Sequence, residues 1–266
     1  MNRIQNTFQE KESNILSIYF TAGQKGLNKT VEIISSLESA GVDMVEIGIP
    51  FSDPVADGPT IQKSSEVAIK NGMTLKQLFT ELKELRKKAK IPVLLMGYLN
   101  PILQYGIESF CKSCAEVGVD GVIIPDLPLN IYERLYQDTF DKHHIINTLL
   151  ITPQTSEARI RDIDNKSKGF IYVVSSNGTT GDKNAIIHDN YFEHINSMKL
   201  KTPQLIGFGI NDNQSFRNAC KYSYGAIIGS AFVKEIALDH SYENIKSFID
   251  KIVKNNKNTL TEKLTK

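Results

Sequence analysis

Two kinds of segment alternate along the chain, one continuously apolar and one amphipathic, and the alternation repeats eight times. The apolar runs are short and rich in β-branched residues, which predicts buried strands. The predicted strands span residues 15–20, 44–49, 92–97, 121–125, 145–151, 170–175, 204–209 and 226–230. Strands that are apolar throughout, rather than at every second residue, are typical of a parallel sheet covered on its outer face.

The amphipathic segments place apolar residues at i, i+3 and i+4, which predicts helices with one packed face. They often follow an Asp, Ser, Thr or Asn that suits the N-cap position. These predicted helices span residues 29–41, 74–89, 107–118, 130–140, 156–167, 189–200, 212–223 and 242–256. A further helix is predicted to begin directly after the last strand.

Eight βα units in a chain of 266 residues match a single-domain (β/α)8 TIM barrel of the α/β class. The alternative is a doubly wound open sheet of about six strands. Two observations favour the barrel: no G-x-G-x-x-G follows the first strand, and glycines cluster at the ends of the seventh and eighth strands. We predict one barrel domain over residues 1–256 and a frayed polar tail over residues 257–266.

Composition narrows the class of protein and its location. The chain has 31 basic and 30 acidic residues with the signs interspersed, a charge pattern that indicates neither nucleic acid nor anionic lipid as a partner. No apolar run approaches the ~18 residues of a membrane span, and the first residues lack the apolar stretch of a secretory signal. Only three cysteines are present, too few for a disulfide framework. We therefore expect a cytoplasmic protein.

The spacing of Cys111 and Cys114 invites a redox or zinc interpretation. However, Phe110, Cys114 and Val117 repeat at helical spacing, and no second cysteine pair is present to complete a zinc site. Core packing is therefore the better interpretation, because free cysteine behaves as a small buried hydrophobe. The histidines show no ligand spacing with carboxylates, and we predict no metal site.

The segment VEIGIPFSDPVADGPTIQ, residues 45–62, combines a predicted strand with carboxylates. Glu46 lies within the apolar strand, where burial without a cation raises the pKa of a carboxyl and suits it to take and return a proton. Asp57 lies in the following loop, where we expect a wetter, ionised carboxylate that accepts an N–H. The alternatives are a structural ion pair for Glu46 and turn capping for Asp53.

Glycines follow strands six, seven and eight, where barrels of this class often bind phosphate. Glycine allows backbone N–H groups to approach an anion, and a helix N-terminus adds its partial positive charge. The alternative is that these glycines only relieve crowding at the strand ends. The predicted phosphate donors are the backbone at Gly181, Gly209 and Gly229 and both the N–H and the hydroxyl of Ser230.

A long polar stretch, residues 169–189, starts in strand six and ends at the next helix. Loops of this length are commonly either disordered or functional, and its position beside the predicted phosphate donors favours a closing lid. Tyr172, in strand six, either reaches the site or is a core tyrosine.

Five motifs in order along nearly the whole chain resemble one known family. VEIGIPFSDPVADGPTIQ, LLMGYLNPILQYGIESF, DGVIIPDLP, GFGI and GSAFVKEI are similar to the signature of the tryptophan synthase alpha subunit. The resemblance implies a lyase of tryptophan biosynthesis that cleaves indole-3-glycerol phosphate to indole and glyceraldehyde 3-phosphate by a retro-aldol reaction.

The resemblance also implies roles for single residues. Glu46 is the acid and base, Asp57 holds the indole N–H, Tyr172 lies near Glu46, and Thr180 in the lid meets Asp57 on closure. Three apolar residues are expected to wall the indole pocket: Phe20, Met96 and Leu127.

By the same resemblance, one face binds a beta subunit in an alpha2beta2-type heterotetramer. That subunit carries pyridoxal phosphate and consumes the indole, so no cofactor is expected in this chain. The predicted partner-facing residues are Asp53, Pro54, Tyr98, Asn100 and Pro101.

Two departures from the family pattern concern the lid and its coupling to the partner. After strand one the family commonly has the sequence Gly-Asp-Pro, where this chain has AGQKG with Gln24, and the lid has Ser176 where Arg is common. Three alternative functions remain: a free-standing lyase, a catalytically silent barrel that activates its partner, and another phosphate-binding barrel such as an isomerase of the same pathway. Isomerases of that kind typically need a Lys or a His/Cys pair at strand ends, which this sequence lacks.

Overall fold

The computed structural model describes residues 2–175 and 189–254. Eight parallel strands close into a barrel in chain order, with the last strand paired to the first. The strands are Ile15–Thr21 (β1), Met44–Gly48 (β2), Val93–Met96 (β3), Gly121–Ile123 (β4), Ile146–Ile151 (β5), Ile171–Val174 (β6), Gln204–Gly207 (β7) and Gly225–Ile228 (β8). All eight coincide with predicted strands, so the TIM barrel prediction is confirmed and the open sheet is excluded.

Helices cover the outside of the barrel. In the described ranges they are Arg3–Glu10 (α1), Thr30–Ser39 (α2), Pro59–Lys70 (α3), Leu75–Leu82 (α4), Leu85–Lys88 (α5), Leu99–Tyr105 (α6), Ile107–Val117 (α7), Leu129–Ile131 (α8), Gln137–Lys142 (α9), Glu157–Lys166 (α10), Asp189–Ser197 (α11), Asn213–Ala219 (α12), Ser230–Leu238 (α13) and Tyr242–Val253 (α14). A π-helical turn, Tyr132–Tyr136, joins α8 to α9. Across residues 2–175 and 189–254, no helix is long and apolar enough to cross a membrane.

Three helices were not predicted from the sequence: α1, α3 and α6. Both α3 and α6 carry a proline in the first turn, Pro59 and Pro101, which the sequence pattern presents as part of a loop. Proline is tolerated there because the first N–H groups of a helix have no intrahelical acceptor.

The apolar side chains form two separate clusters on the two faces of the sheet. The larger cluster lies between the strands and the surrounding helices. The smaller fills the barrel interior, because successive side chains of a strand point to opposite faces. From the strands it contains Ile15, Met44, Leu94, Ile123, Ile146, Ile227, Leu205, Tyr172 and Val174.

Helix α1 closes the end of the barrel where the strands begin. Ile4 and Phe8 of this helix join the interior cluster. Its first turn is held by a capping box, in which the Asn2 side chain accepts from Ile4 N–H and the Gln5 side chain accepts from Asn2 N–H. The N-terminal segment is therefore a plug for the apolar interior.

A buried carboxylate beside this plug has its charge fully compensated. Asp120 is 3% exposed and forms ion pairs with Arg3 at 2.9 Å and Arg86 at 2.6 Å, one on each carboxylate oxygen. The N–H of Val93 donates to the same oxygen as Arg86, at 2.9 Å. At the strand-start end of the barrel, two cations and a backbone donor thus stabilise the Asp120 carboxylate.

The cysteines of α7 pack in the core, as the helical spacing predicted. Cys111 and Cys114 belong to the outer cluster. Burial raises the pKa of the Cys111 thiol to about 12 and that of Cys114 well above its ordinary value. Thiols of this kind are not reactive nucleophiles at neutral pH.

Candidate active site

Glu46 lies on the inner face of β2, between Met44 and Gly48, and is completely buried. Ser17 Oγ donates to Glu46 Oε1 at 2.8 Å, whereas Oε2 has no hydrogen-bond partner among the described residues. Burial raises the pKa of this carboxyl to about 8, and the Ser17 hydrogen bond opposes that shift. The structural ion pair considered for Glu46 is not formed with any described residue.

The position of Glu46 follows from the pleat of β2. Val45 and Ile47 pack in the outer cluster and Met44 in the inner one, so the alternate residue Glu46 faces the interior. Continuous apolar sequence on both sides leaves little space for water. A carboxyl in this place is mostly protonated at neutral pH and can donate its proton.

Asp57 lies in the loop that joins β2 to α3, at the strand-end face where such barrels carry their reactive groups. Its N–H donates to Pro54 C=O at 3.0 Å, and its Oδ2 accepts from the Tyr98 hydroxyl at 3.2 Å. Burial raises the pKa of Asp57 to about 6, while the Tyr98 hydrogen bond lowers it. The sequence suggested a wetter carboxylate. The structure gives a partly desolvated one that is still mainly ionised at neutral pH.

Tyr98 was predicted to face a partner, and the structure corrects this. Its side chain is buried, and its ring centroid lies 5.2 Å from that of Phe51. The Tyr98 hydroxyl accepts from the N–H of Ala56 at 3.0 Å while donating to Asp57. The residue therefore anchors the loop that carries Asp57, because its hydroxyl satisfies two groups of that loop.

Tyr172 points into the barrel from β6 and belongs to the interior cluster. Burial raises the pKa of its phenol well above the ordinary value, and the charges of Glu46, Tyr19 and Asp57 add to the effect. A Cβ at Gly207, on the adjacent strand β7, would overlap the Tyr172 hydroxyl. The absence of a side chain at Gly207 is thus what lets the phenol lie across the interior.

Tyr19 shares this face and was missed by the sequence analysis. Phe20 was expected to wall the pocket, but Phe20 packs in the outer cluster, whereas Tyr19 lies opposite Glu46 in the β1–β2 register. The prediction of Phe20 was wrong by one residue, which in a strand changes the face. The polar residues Ser17, Tyr19 and Thr21 at every second position of β1 are the signal that marks its inner face.

The two other expected pocket walls differ from each other. Met96 packs against the interior cluster at the end of β3. Leu127 belongs instead to the outer cluster, where it lies against the helices, and Ile123 is the residue that β4 turns inward. Leu127 follows the strand by four residues, and the chain has already left the barrel at that point.

The predicted phosphate residues lie at the ends of β7 and β8. Gly209 has φ +73°, a left-handed conformation that favours glycine, and a Cβ there would lie 3.7 Å from Ser175 Oγ, an ordinary contact distance. Gly229 is the N-cap of α13 and provides no capping side chain, and the buried Ser230 Oγ has no partner among the described residues. The first N–H groups of α13 thus remain available to an anion. Gly181, Thr180 and Ser176 lie outside the described residues.

The remaining predicted residues lie around the rim. Asp53 and Asn100 are exposed, and Pro54 and Pro101 are half-buried. Gln24, which departs from the family pattern, is buried, and its Nε2 donates to Val233 C=O of α13 at 2.8 Å. Within the described ranges, no group of three or more His, Cys, Asp or Glu side chains could hold a metal ion.

Together these features define a class of protein: a (β/α)8 barrel enzyme with a buried protonatable carboxyl, a second carboxylate, and an uncapped helix N-terminus at its strand-end face. Comparison with known proteins narrows the class. The sequence profile described as Tryptophan synthase alpha chain matches residues 4–263. The tryptophan synthase alpha chain of Flavobacterium psychrophilum is 56% identical over 95% of this chain and all of the relative. That of Phocaeicola vulgatus is 50% identical over 97% of this chain and all of the relative.

Solved structures agree with this assignment. The tryptophan synthase alpha chain of Legionella pneumophila superposes with a TM-score of 0.82 at 30% identity, covering 95% of this chain and 97% of the other. The tryptophan synthase A-subunit of Pyrococcus furiosus gives 0.79 at 31% identity, covering 90% and 97%. The chain belongs to the tryptophan synthase alpha chain family, and the prediction of a lyase of tryptophan biosynthesis is confirmed.

Proposed function

We propose that Glu46 and Asp57 carry out, in this chain, the reaction of its family: the cleavage of indole-3-glycerol phosphate to indole and glyceraldehyde 3-phosphate. The observation that carries the proposal is the state of Glu46. It is fully buried, its Oε2 has no described hydrogen-bond partner, and its pKa is raised to about 8. A carboxyl held near the working pH both gives and takes protons readily.

The reaction needs one proton to arrive and one to leave. Glu46 in its acid form protonates C3 of the indole ring, and its carboxylate then removes the proton of the hydroxyl on the attached carbon. The C3–C1′ bond breaks, its electron pair restores the aromatic ring, and the hydroxyl oxygen becomes the aldehyde oxygen. The proton count balances, because Glu46 ends in the acid form in which it began. Tyr172 lies near Glu46 in the barrel interior, and the Glu46 charge contributes to the raised pKa of the phenol.

Asp57 has a separate role at the ring nitrogen. When C3 accepts a proton, the ring nitrogen becomes electron-poor and its N–H more acidic. An ionised carboxylate that accepts this N–H stabilises that state more than the ground state, which lowers the barrier. The Tyr98 hydroxyl holds Asp57 Oδ2 at 3.2 Å and keeps the carboxylate in place. Met96, which was predicted to line the pocket, supplies an apolar wall for the indole ring.

The phosphate group is held at the other side of the barrel mouth. Gly209, Gly229 and Ser230 offer backbone N–H groups, a helix N-terminus and a hydroxyl without a described partner. We propose that Gly181 adds a donor and that Thr180 meets Asp57 when the predicted lid, the part of residues 169–189 that follows β6, closes over the substrate. Gln24 fixes the start of α13 through its hydrogen bond to Val233, which steadies the anion site.

The chain works with a tryptophan synthase beta subunit in this proposal, in an alpha2beta2-type heterotetramer. The surface that supports it contains Asp53, Pro54, Asn100 and Pro101, and includes Val55, which is 83% exposed. Pyridoxal phosphate belongs to the beta subunit, and we expect no cofactor in this chain, which acts in the cytoplasm.

The test is an assay of indole release from indole-3-glycerol phosphate, with and without beta subunit, on the wild type and on Glu46→Gln and Asp57→Asn. We expect both variants to bind substrate and to lose turnover. Release of indole by the wild type alone at its full rate would favour a free-standing lyase. Substrate binding without cleavage, even with the beta subunit present, would favour a silent activator. Near-full turnover by Glu46→Gln would remove the basis of the assignment.

A further inference from the structure

Tyr19 is a polar side chain on the inner face of the barrel mouth to which the proposed reaction gives no task. It lies opposite Glu46 in the strand register, and its side chain is only partly buried. A Cβ at Gly48 would overlap its hydroxyl, and a Cβ at Gly229 would lie 3.6 Å from its ring. The phenol therefore spans the distance from the end of β2, which carries the acid, to the turn that precedes α13.

A chain of hydroxyl groups fixes which way the Tyr19 proton points. Ser64 Oγ donates to Ile61 C=O at 2.8 Å, because a carbonyl oxygen only accepts. Ser64 has one hydroxyl proton, so in its 2.6 Å contact with Thr21 it must accept, and Thr21 donates. Thr21 is then left with lone pairs only, and in its 3.5 Å contact Tyr19 is the donor.

Burial of these hydroxyl groups holds the direction of hydrogen-bond donation, from Tyr19 to Thr21 to Ser64. Thr21 and Ser64 are both buried, and leaving either hydroxyl without its partner would cost free energy. Tyr19 is the only member of the three that reaches the mouth. With its proton held by Thr21, its oxygen presents lone pairs to the pocket and can act there only as an acceptor.

The proposed substrate offers one donor that no other group has been assigned. Asp57 takes the ring N–H, and Glu46 takes the hydroxyl on the carbon attached to the ring. The second hydroxyl of the glycerol chain lies between that carbon and the phosphate. Tyr19 lies between the protein groups proposed to bind these two parts of the substrate. One side of it contacts Gly48, the residue after Glu46 on the inner face of β2, and the other contacts Gly229 at the phosphate turn.

We propose that Tyr19 is a specificity-determining residue whose hydroxyl oxygen accepts from this second glycerol hydroxyl, with Thr21 and Ser64 holding it in the acceptor state. The inference rests on the proposed function, because it uses the orientation of the substrate between Glu46 and the phosphate turn. Its consequence is selectivity. Phosphate esters that carry this hydroxyl are preferred to those that lack it, because a ligand without the hydroxyl leaves the Tyr19 oxygen without a donor.

The experiment compares Tyr19→Phe with the wild type on two ligands. For indole-3-glycerol phosphate we expect kcat/KM to fall roughly fivefold, mainly through KM, the effect of one neutral hydrogen bond. For 3-(indol-3-yl)propyl phosphate, which keeps the ring N–H and the phosphate but lacks both hydroxyls, we expect an unchanged Kd. An equal loss of affinity for both ligands, or no change in KM, would overturn the inference.

Matched variants separate this effect from packing. Thr21→Val frees the Tyr19 hydroxyl to donate and should reproduce the loss of kcat/KM. Thr21→Ser retains the chain of hydroxyl groups and should keep the KM of the wild type. These two carry the test if Tyr19→Phe does not fold. Tyr172→Phe removes the phenol of β6 instead. If Tyr172→Phe raises KM for the glycerol substrate alone and Tyr19→Phe does not, the assignment to Tyr19 is contradicted.

If the wild type shows no cleavage, the proposed function fails. An active wild type with an equally active Tyr19→Phe variant sinks only this inference.

Discussion

Two buried carboxylates lie at opposite ends of the barrel and are treated in opposite ways. Asp120, where the strands begin, is paired with two arginines and a backbone N–H. Glu46, within β2 and nearer the strand-end face, is equally buried and receives only the Ser17 hydroxyl. The compensated charge joins α1, α5, the first residue of β3 and the residue before β4. The uncompensated carboxyl keeps a proton within reach of a ligand, at a cost in stability.

Burial alone therefore does not identify a functional acid. Both residues are hidden from water, and the difference lies in the donors that surround them. Asp120 has an arginine on each oxygen and a backbone donor, so its charge is matched within the protein. A carboxyl that is desolvated and weakly hydrogen-bonded has its pKa raised to about 8. The donors around an acid therefore distinguish a structural end of the barrel from a chemical one.

The largest expected effect is on stability at the strand-start end. Asp120→Asn leaves Arg3 and Arg86 without their shared anion, and we expect a loss of about 3 kcal/mol in the free energy of unfolding. Denaturant unfolding followed by circular dichroism measures it, since the chain has no tryptophan. The control is Glu84→Gln, which breaks an exposed ion pair with Lys87 and should cost less than about 1 kcal/mol. A similar small loss for both variants would contradict the comparison.

At the other end, Glu46→Gln should reduce indole formation by about 10^2-fold or more while substrate binding stays near normal. Unlike the Asp120 variant, it should not destabilise the protein. Because folding raises the pKa of Glu46, the folded state binds its proton more tightly than the unfolded state, and stability falls as the pH rises from about 4.5 to about 8. The Gln variant should therefore gain stability over the wild type at pH 9 and less so at pH 5. Melting temperatures at the two pH values decide this.

The pH profile of kcat/KM should have two limbs set by the same groups. Activity should fall below about pH 6, where Asp57 becomes protonated and no longer accepts the ring N–H. It should also fall above about pH 8, where the free enzyme loses the proton of Glu46. Beyond each limb the loss is about tenfold per pH unit. Asp57→Asn should remove the acidic limb and leave the alkaline one, and persistence of both limbs would separate Asp57 from the profile.

A smaller effect is expected at the phosphate turn. Gly209→Val places a β-branched side chain at φ +73° and obstructs the backbone approach to an anion, so the inhibition constant for inorganic phosphate should rise roughly five- to tenfold. Gly41→Val is the matched control, because Gly41 has φ +92° and open space around its Cβ but lies before β2, at the opposite end. Equal weakening of phosphate binding in both variants would show strain rather than a lost anion site.

Much of the fold and part of the candidate site could be read from the sequence. The eight strands coincide with eight apolar runs, because a strand buried on both faces must be apolar throughout. Glu46 and Asp57 stood out because a charge in such a run, or directly after it, is costly. Gly209, Gly229 and Ser230 stood out because barrel loops after strands seven and eight are favoured places for anions.

Other residues could not be placed in this way. Phe20 and Leu127 were assigned to the interior from the family resemblance, which does not fix the face of a strand, and both pack in the outer cluster. Tyr98 follows β3 and could point in either direction, and only the Asp57 loop folded over it shows that its hydroxyl is used internally. Helix α1 has few apolar residues, so its sequence does not predict that it plugs the barrel. Its role depends on the end of the barrel, which is assembled from strands that are distant in sequence.

The order of the strands, the barrel they form, the family and the two acidic residues follow from the amino-acid sequence, because they depend on local patterns and on motifs that are contiguous in the chain. The folded barrel was needed to show that Glu46 is uncompensated while Asp120 is paired, and that Tyr19 rather than Phe20 faces the mouth. Desolvation, hydrogen-bond direction and strand face arise from groups far apart in sequence, and those groups meet only when the barrel closes.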